Sequence, residues 1–244
     1  MWMAIRHLFS SSGAGRPLQD PRTKLNGILF VLRSGCQWRF LPREYGAKST
    51  VHRAFMTWSE AGIFEQIHKI ARSLYLTKHE PSYFAIDAAL GRARHGGGGL
   101  GKNPCDRGKM GIKKHLIVDI KGVPLFATTS PASVHDVKVG YRLARDLVKY
   151  KHSKTTPILA ADAGYDATRL KRMLVKNEIV PFIAINKRRS QKSEKRNSKN
   201  RWIVESAHSW INNFRSLLVR FTKYEHTFQS FLSFACSYLV FGKL

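Results

Sequence analysis

The chain has 244 residues, enough for one large domain or one domain with a small appendage. With 43% hydrophobic and 24% charged residues it can bury a core, which excludes wholesale disorder. Its 42 Lys and Arg against 16 Asp and Glu leave a net charge of +26, a field that draws polyanions and makes nucleic acid the first partner to consider.

The basic residues do not flank an apolar span, so a membrane surface is the weaker partner. Cys36, Cys105 and Cys236 are an odd number without C-x-x-C spacing, which argues against a disulfide framework, a zinc site and secretion. The start is too short and interrupted for a signal peptide, and the apolar run from Phe228 to Phe241 is too short for a membrane span. The expectation is a soluble, cytoplasmic protein.

Residues 1–19 end in a loop composition. Leu25, Ile28, Leu29 and Leu32 then recur at helical spacing until Gly35. A second helix, capped by Ser49 or Thr50, carries Val51, Phe55 and Trp58; after Gly62, Ile63, Ile67, Ile70 and Leu74 make a third stripe. Three helices with a glycine break permit a helix-turn-helix, although such stripes more often mark plain core.

From Lys78 the character changes. Tyr83-Phe-Ala-Ile reads as a strand ending on Asp87, followed by a glycine-rich loop at 96–101 and a basic segment, 106–114. His115 to Ile120 and Val123 to Thr129 read as two strands joined by a Lys121-Gly122 turn. A helix over 137–150, a strand over 157–161 ending at Asp162, a helix from Asp166 to about Lys176 and a strand over 179–185 come next. Residues 187–201 hold eight Lys or Arg, one Glu and no apolar residue, and read as a basic loop. Val204, Ala207, Ile211, Phe214, Leu218 and Phe221 read as one helix, and a buried helix closes the chain.

Three hairpin-linked strands and then two reached through helices suit an α/β fold, a ribonuclease H-like mixed sheet flanked by helices. A small all-helical unit of DNA-binding type (1–79) precedes the sheet domain (80–244).

Acids are scarce, so each can be weighed singly. Glu44, Glu60, Glu65, Glu80, Asp146, Glu178, Glu194 and Glu225 fall where a solvated role suffices. Asp20 and Asp166 precede helices and suit capping; Asp106 and Asp119 lie beside basic residues, and Asp136 is a cap or a supporting group. Asp87 and Asp162 each end an apolar run, so adjacent strands would bring their carboxylates together. Like charges so placed repel unless a cation lies between them, and Mg²⁺ favours such oxygen donors. Glu205 is a third candidate, with His208, Ser209 and Asn212 forming a polar flank beside the core face of its helix. Phosphate-cradling, dinucleotide and nucleophile-elbow motifs are lacking, and the ten histidines show no ligand spacing.

The ordered set Gly15-Arg-Pro, Gly35-Cys-Gln-Trp-Arg, Ile86-Asp-Ala, Gly101-Lys-Asn-Pro-Cys-Asp-Arg-Gly-Lys, Val134-His-Asp, Ala161-Asp-Ala-Gly-Tyr-Asp and Trp202-Ile-Val-Glu resembles bacterial insertion-sequence transposases of the insertion sequence five family. These belong to the DDE group, and the resemblance runs from about residue 15 to the C-terminus. It implies that the triad falls on Asp87, Asp162 and Glu205, with Mg²⁺ or Mn²⁺ as cofactor. It further implies double-stranded DNA as partner (terminal inverted repeats and target), a homodimer when two ends are synapsed, and a nucleoid location through DNA. The expected reactions are hydrolytic release of the element's ends and attack of a 3′-hydroxyl on target DNA. Arg107, Lys109, Lys113, Lys114, Lys187, Arg188, Arg189 and Arg215 are the expected phosphate contacts. Ser206 and Ser216 stand where the family usually has arginine. A binding-only decayed copy, or a ribonuclease H-like nuclease with another substrate, is the alternative.

Overall fold

The computed structural model describes residues 1–9, 20–150, 156–185 and 201–244. Lys187, Arg188 and Arg189 lie outside the described residues.

A short helix α1 (Trp2–Ile5) leads to three longer ones: α2 (Pro21–Ser34), α3 (Lys48–Glu60) and α4 (Ile63–Lys78). Asp20 caps α2 as expected, accepting from Arg22 N at 3.1 Å and Thr23 N at 3.2 Å. Gly35 closes α2 in the left-handed region, φ 69°, and its N–H donates to Val31 O. No side chain caps α3, which starts at Lys48, so Ser49 and Thr50 are first-turn residues and not caps. The buried stripe of α4 is Phe64, Ile67, Ala71 and Tyr75, whereas Leu74 is exposed.

The final helix, α8 (Glu225–Phe241), is the post around which these helices stand. Phe231 stacks on Phe55 at 4.4 Å and Phe234 packs on Phe64 at 5.2 Å. One continuous apolar cluster joins Leu25, Ile28, Phe55 and Phe64 through α8 to sheet residues Ala85, Leu116 and Ala160. On its other side α4 meets the sheet: His68 Nε2 donates to Pro124 O at 2.8 Å, and Arg72 lies over the Phe126 ring at 4.3 Å. With α8 on one side and the sheet on the other, α4 contributes a large part of the core. Glu65 of α4, expected to be solvated, accepts from the Ser230 and Ser233 hydroxyls of α8, and burial raises its pKa.

The strands are β1 (Tyr83–Ala93), β2 (Gly101–Lys102), β3 (Met110–Asp119), β4 (Pro124–Pro131), β5 (Ile158–Ala161), β6 (Val180–Ile183) and β7 (Val219–Arg220). β3 lies antiparallel between β1 and β4, β5 runs parallel to β1, and β6 parallel to β5. Helices α5 (Asp136–Val148) and α6 (Thr168–Lys176) cover one face through Val139, Leu143, Leu170 and Leu174. Helix α7 (Arg201–Asn212) covers the other through Ile203, Val204, Ala207 and Ile211. A three-strand antiparallel meander continued by two parallel strands, with helices on both faces, is the ribonuclease H-like arrangement expected from the sequence. Among the described residues, no helix is long and apolar enough to cross a membrane.

Several local expectations need correction. β1 continues six residues beyond Asp87, because its pairing with β3 runs on from Phe84↔Asp119 to Arg92↔Gly111. The expected helix through Phe221 ends at Asn212; a 3-10 turn (Arg215–Leu217) and β7 follow, so Leu218 and Phe221 are exposed. Asp166 is not a cap: Ala167 precedes α6, and Asp166 pairs with Lys171. Asp119 is buried and, among the described residues, makes no lysine side-chain pair, instead accepting from Tyr75 Oη at 2.6 Å and from the Lys121 and Val123 N–H groups at 2.9 Å each. It staples the β3–β4 turn to α4. Within the glycine run, Gly97 has a packing reason: at φ 145°, a Cβ on it would lie 2.0 Å from Lys223 O, whereas Gly96 and Gly98 stand in open space.

Candidate active site

The strand register sets the site. β5 pairs with β1 from Tyr83↔Ile158 to Ile86↔Ala161, then stops. One step further the register puts Asp87 beside Asp162, on neighbouring strands roughly 4.8 Å apart. Side chains alternate along a strand, so Asp87 shares the face of Ala85, and Asp162 that of Ala160. Both alanines belong to the cluster containing Ile203, Val204, Ala207 and Ile211, so both carboxylates emerge on the α7 side.

β5 stops because Asp162 turns the chain. Its Oδ1 accepts from Gly164 N at 2.9 Å, opening a 3-10 turn (Ala163–Tyr165). The Asp87 carboxylate is likewise held locally, Oδ1 accepting from Ala88 N at 2.8 Å. On the same side of β1, β7 begins opposite Arg92. Residues 87–91 therefore line a window in the sheet edge with no strand partner on that side among the described residues, and Asp87 stands at one end of it.

Helix α7 hangs over this window by two buried contacts. The His208 ring lies against the Asp87 main chain without a well-formed hydrogen bond. Burial first, and then the Lys114 charge, push its pKa down to about 4, so the imidazole is neutral at pH 7. Lys114, on β3 opposite Ala89, donates to Asn212 Oδ1 at 2.7 Å and to Leu217 O at 2.9 Å. Glu205 lies three residues before His208, hence on the same flank one turn away, and is exposed. Of the polar flank read from the sequence, His208 is buried, Asn212 is the Lys114 acceptor, and Ser209 is exposed.

The basic candidates divide by environment. Arg107 and Lys109 are exposed on the 103–109 turn, about 20 Å along β3 from the level of Asp87 at 3.3 Å per residue. Arg215 is exposed too, its Cβ within 2.8 Å of where a Cβ on Gly35 would stand. Lys113 is held inside by Asp136 Oδ1 at 2.7 Å and Val134 O at 2.9 Å, and Lys114 is only 2% exposed. Those last two ammonium groups serve the fold and not a surface. Asp106 pairs with Arg92 at 2.8 Å, and Ser216 donates to Val31 O at 2.8 Å, closing the end of α2.

Sequence reasoning missed that Tyr165, three residues past Asp162, is a buried core residue packed on Gly140 of α5, a contact invisible until β5 and α5 are brought together.

Among the described residues, no group of three or more His, Cys, Asp or Glu is already gathered around a metal position. The adjacent pair nonetheless fits a hard cation in its donor chemistry: two like-charged carboxylates, oxygen donors of the kind Mg²⁺ and Mn²⁺ take.

The family description "Transposase DDE domain" matches residues 78–240. The chain belongs to the DDE transposase family. Its helical first part, residues 1–68, matches the description of a candidate transposase of the IS4/5 family. A DDE transposase is a polynucleotidyl transferase and endonuclease, and the class uses divalent metal ions. The chain is 34% identical over 149 residues to a candidate transposase for insertion sequence element IS402 of Burkholderia cepacia, covering 59% of this chain and 69% of that one. It is also 36% identical over 94 residues to an uncharacterised 16.2 kDa protein of the same IS402 element, covering 37% and 64% of the two chains. Among solved structures, a piggyBac transposase synaptic complex with hairpin DNA aligns at a TM-score of 0.45 and 12% identity, over 98% of this chain and 70% of that one.

Proposed function

We propose that Asp87, Asp162 and Glu205 are the acidic triad of this transposase and that its substrate is double-stranded DNA: the inverted-repeat ends of its own element and a target duplex. The observation that carries this reading is the register that sets Asp87 and Asp162 side by side on the α7 face. Asp87 and Asp162 would hold Mg²⁺ or Mn²⁺. When bound, the ion supplies charge that polarises a phosphoryl oxygen and favours deprotonation of the attacking group.

The chain's own residues do the rest. Glu205, on the exposed turn of α7, accepts a hydrogen bond from the attacking water in end cleavage and from the 3′-hydroxyl in strand transfer. Lys114 and His208 tie α7 to β3 and β1, on the sheet face where the two aspartates emerge, which supports a role for the exposed Glu205 of that helix. Arg107, Lys109 and Arg215 take phosphate oxygens along the duplex, with Lys187, Arg188 and Arg189 as further contacts. Joining two ends to one target calls for two active sites, so the working species is a homodimer on DNA.

The test is cleavage of DNA carrying the element's ends, in Mg²⁺ and in Mn²⁺. Asp87→Asn is expected to abolish nicking while leaving DNA affinity in place. Equal nicking by both proteins would sink the triad assignment. Salt-sensitive binding by the wild type with no nicking under either ion would establish a binding-only copy instead.

A further inference from the structure

The segment that follows α7 presents apolar side chains to solvent in a basic surrounding. Phe221 is 58% exposed, Tyr224 50% and Leu218 48%, and the triad chemistry uses none of them. Single exposed apolar residues are ordinary, but two rings and a leucine on one short segment ask for a partner.

The segment is fixed from below. The Arg220 guanidinium, 1% exposed, donates from Nη2 to Gly98 O at 2.8 Å and Lys223 O at 3.0 Å, and from Nε to Thr222 O at 3.0 Å. Gly97 lets its loop close against this segment, since a Cβ there would collide with Lys223 O. A buried guanidinium that donates to three main-chain carbonyls sets the rings in place before anything binds, which lowers the cost of ordering them.

Around the rings the charge is positive. His95 meets Phe221 edge-on at 5.9 Å between ring centroids, Lys223 lies 6.0 Å over the Tyr224 ring, and His226 stacks on Tyr224 at 5.5 Å. Arg94 is exposed, and its main-chain N–H donates to Arg220 O at 3.0 Å. Of the neighbouring acids, Asp106 pairs with Arg92 at 2.8 Å, and the Glu225 charge acts on Arg220. Cations interleaved with exposed rings suit a polynucleotide whose bases are unpaired: the cations take phosphates and the rings stack on base faces. A duplex keeps those faces inside its stack and shows only base edges in its grooves. The patch also lies in line with the acid pair. β7 begins opposite Arg92, about 17 Å along β1 from Asp87 at about 3.3 Å per residue, with the window between them.

We propose that Phe221 and Tyr224, framed by Arg94, His95 and Lys223, form a stacking platform for unpaired bases of a DNA strand that runs on from the active site. The proposal rests on the reading of the substrate as DNA that opens beside the acid pair.

The experiment measures binding of a labelled single-stranded oligonucleotide, and of the same sequence as a duplex, to the full chain in EDTA, so that cleavage plays no part. Phe221→Ala should weaken single-strand binding roughly ten- to a hundredfold, as loss of one base–ring stack implies, and change duplex binding less than about twofold. Phe221→Leu, apolar but without a ring, should match the alanine variant, whereas Phe221→Trp should keep wild-type affinity. All three should melt within about 2 °C of the wild type, because the side chain is exposed. Lys223→Gln should reduce the slope of log single-strand affinity against log salt by about 0.7, a slope that the ring variants leave alone. Unchanged single-strand affinity in Phe221→Ala, with duplex binding intact, overturns the platform and leaves the DNA reading standing. An equal loss on both substrates overturns it too, since a contact to paired DNA needs no stacked base. If Phe221→Ala leaves both affinities unchanged but shifts sedimentation from dimer to monomer, the patch joins two copies of the chain and the proposal is wrong. A wild type that binds neither form removes the DNA reading, and this proposal with it.

Discussion

Lys114 is the anchor of α7, and replacing it by methionine tests that anchorage through pH. The substitution keeps an unbranched apolar stem of similar length and removes the ammonium, which is 2% exposed. Burial is the main cause that lowers the Lys114 pKa from 10.5 to about 8. At 1.36 kcal/mol per unit, that depression corresponds to about 3 kcal/mol spent on keeping the charge inside. Below pH 8 the lysine is charged in the folded and the unfolded chain, and the whole cost weighs on the fold. Between pH 8 and 10.5 the unfolded chain binds a proton that the folded one lacks, so this residue's contribution to stability rises with pH. Urea denaturation of both proteins at several pH values should therefore show the wild type gaining about 3 kcal/mol on Lys114→Met between pH 7.5 and 10.5. Taking the difference cancels titrations common to both, such as that of Tyr75, whose pKa burial raises. At pH 7 relief of the buried charge offsets the loss of a donor to Asn212 Oδ1 and Leu217 O, about 1–3 kcal/mol for each acceptor left bare. Nicking should then fall further than stability does, because α7 is no longer tied to β3. A stability difference that stays flat from pH 7.5 to 10.5 would refute the buried, charged anchor.

The other predictions concern acid and backbone. His68, His115 and His208 each have pKa values lowered by burial to about 4, so the folded chain binds fewer protons than the unfolded one below pH 6.5. Stability present above pH 6.5 should be lost as the pH falls through 4, by up to about 3 kcal/mol for each imidazole; a protein as stable at pH 4.5 as at pH 7 would contradict their burial. Gly97→Ala forces a Cβ to 2.0 Å from Lys223 O at φ 145°, and should cost at least about 2 kcal/mol in thermal denaturation. Gly96→Ala, in open space, should stay within about 0.5 kcal/mol of wild type, and equal effects of the two would count against the close packing of that loop.

Much of the fold was legible because the signals are local. The Gly35 stop, the Asp20 cap, the Lys121-Gly122 turn and the alternation of helices and strands all depend on neighbours within a few residues. Where a distant partner decides, the local signal misled. β1 reads as ending on Asp87, but β3 supplies hydrogen bonds as far as Arg92. The apolar spacing from Val204 to Phe221 mimics one helix, but Lys114 takes the carbonyl of Leu217 after the chain has already turned. Lys113 and Lys114 look like two more surface cations in a basic run; alternation in a buried strand sends one to Asp136 and the other to Asn212.

The sequence by itself determined the polyanion-seeking charge, the order of elements and the three acids worth singling out, since composition and short-range periodicity are properties of the chain alone. Only the tertiary structure decided that β5 runs beside β1 and brings the end of each strand, Asp87 and Asp162, to one sheet edge, and that β5 stops there to leave a window. Those facts arise from the pairing of strands more than seventy residues apart, a register that no local interaction encodes.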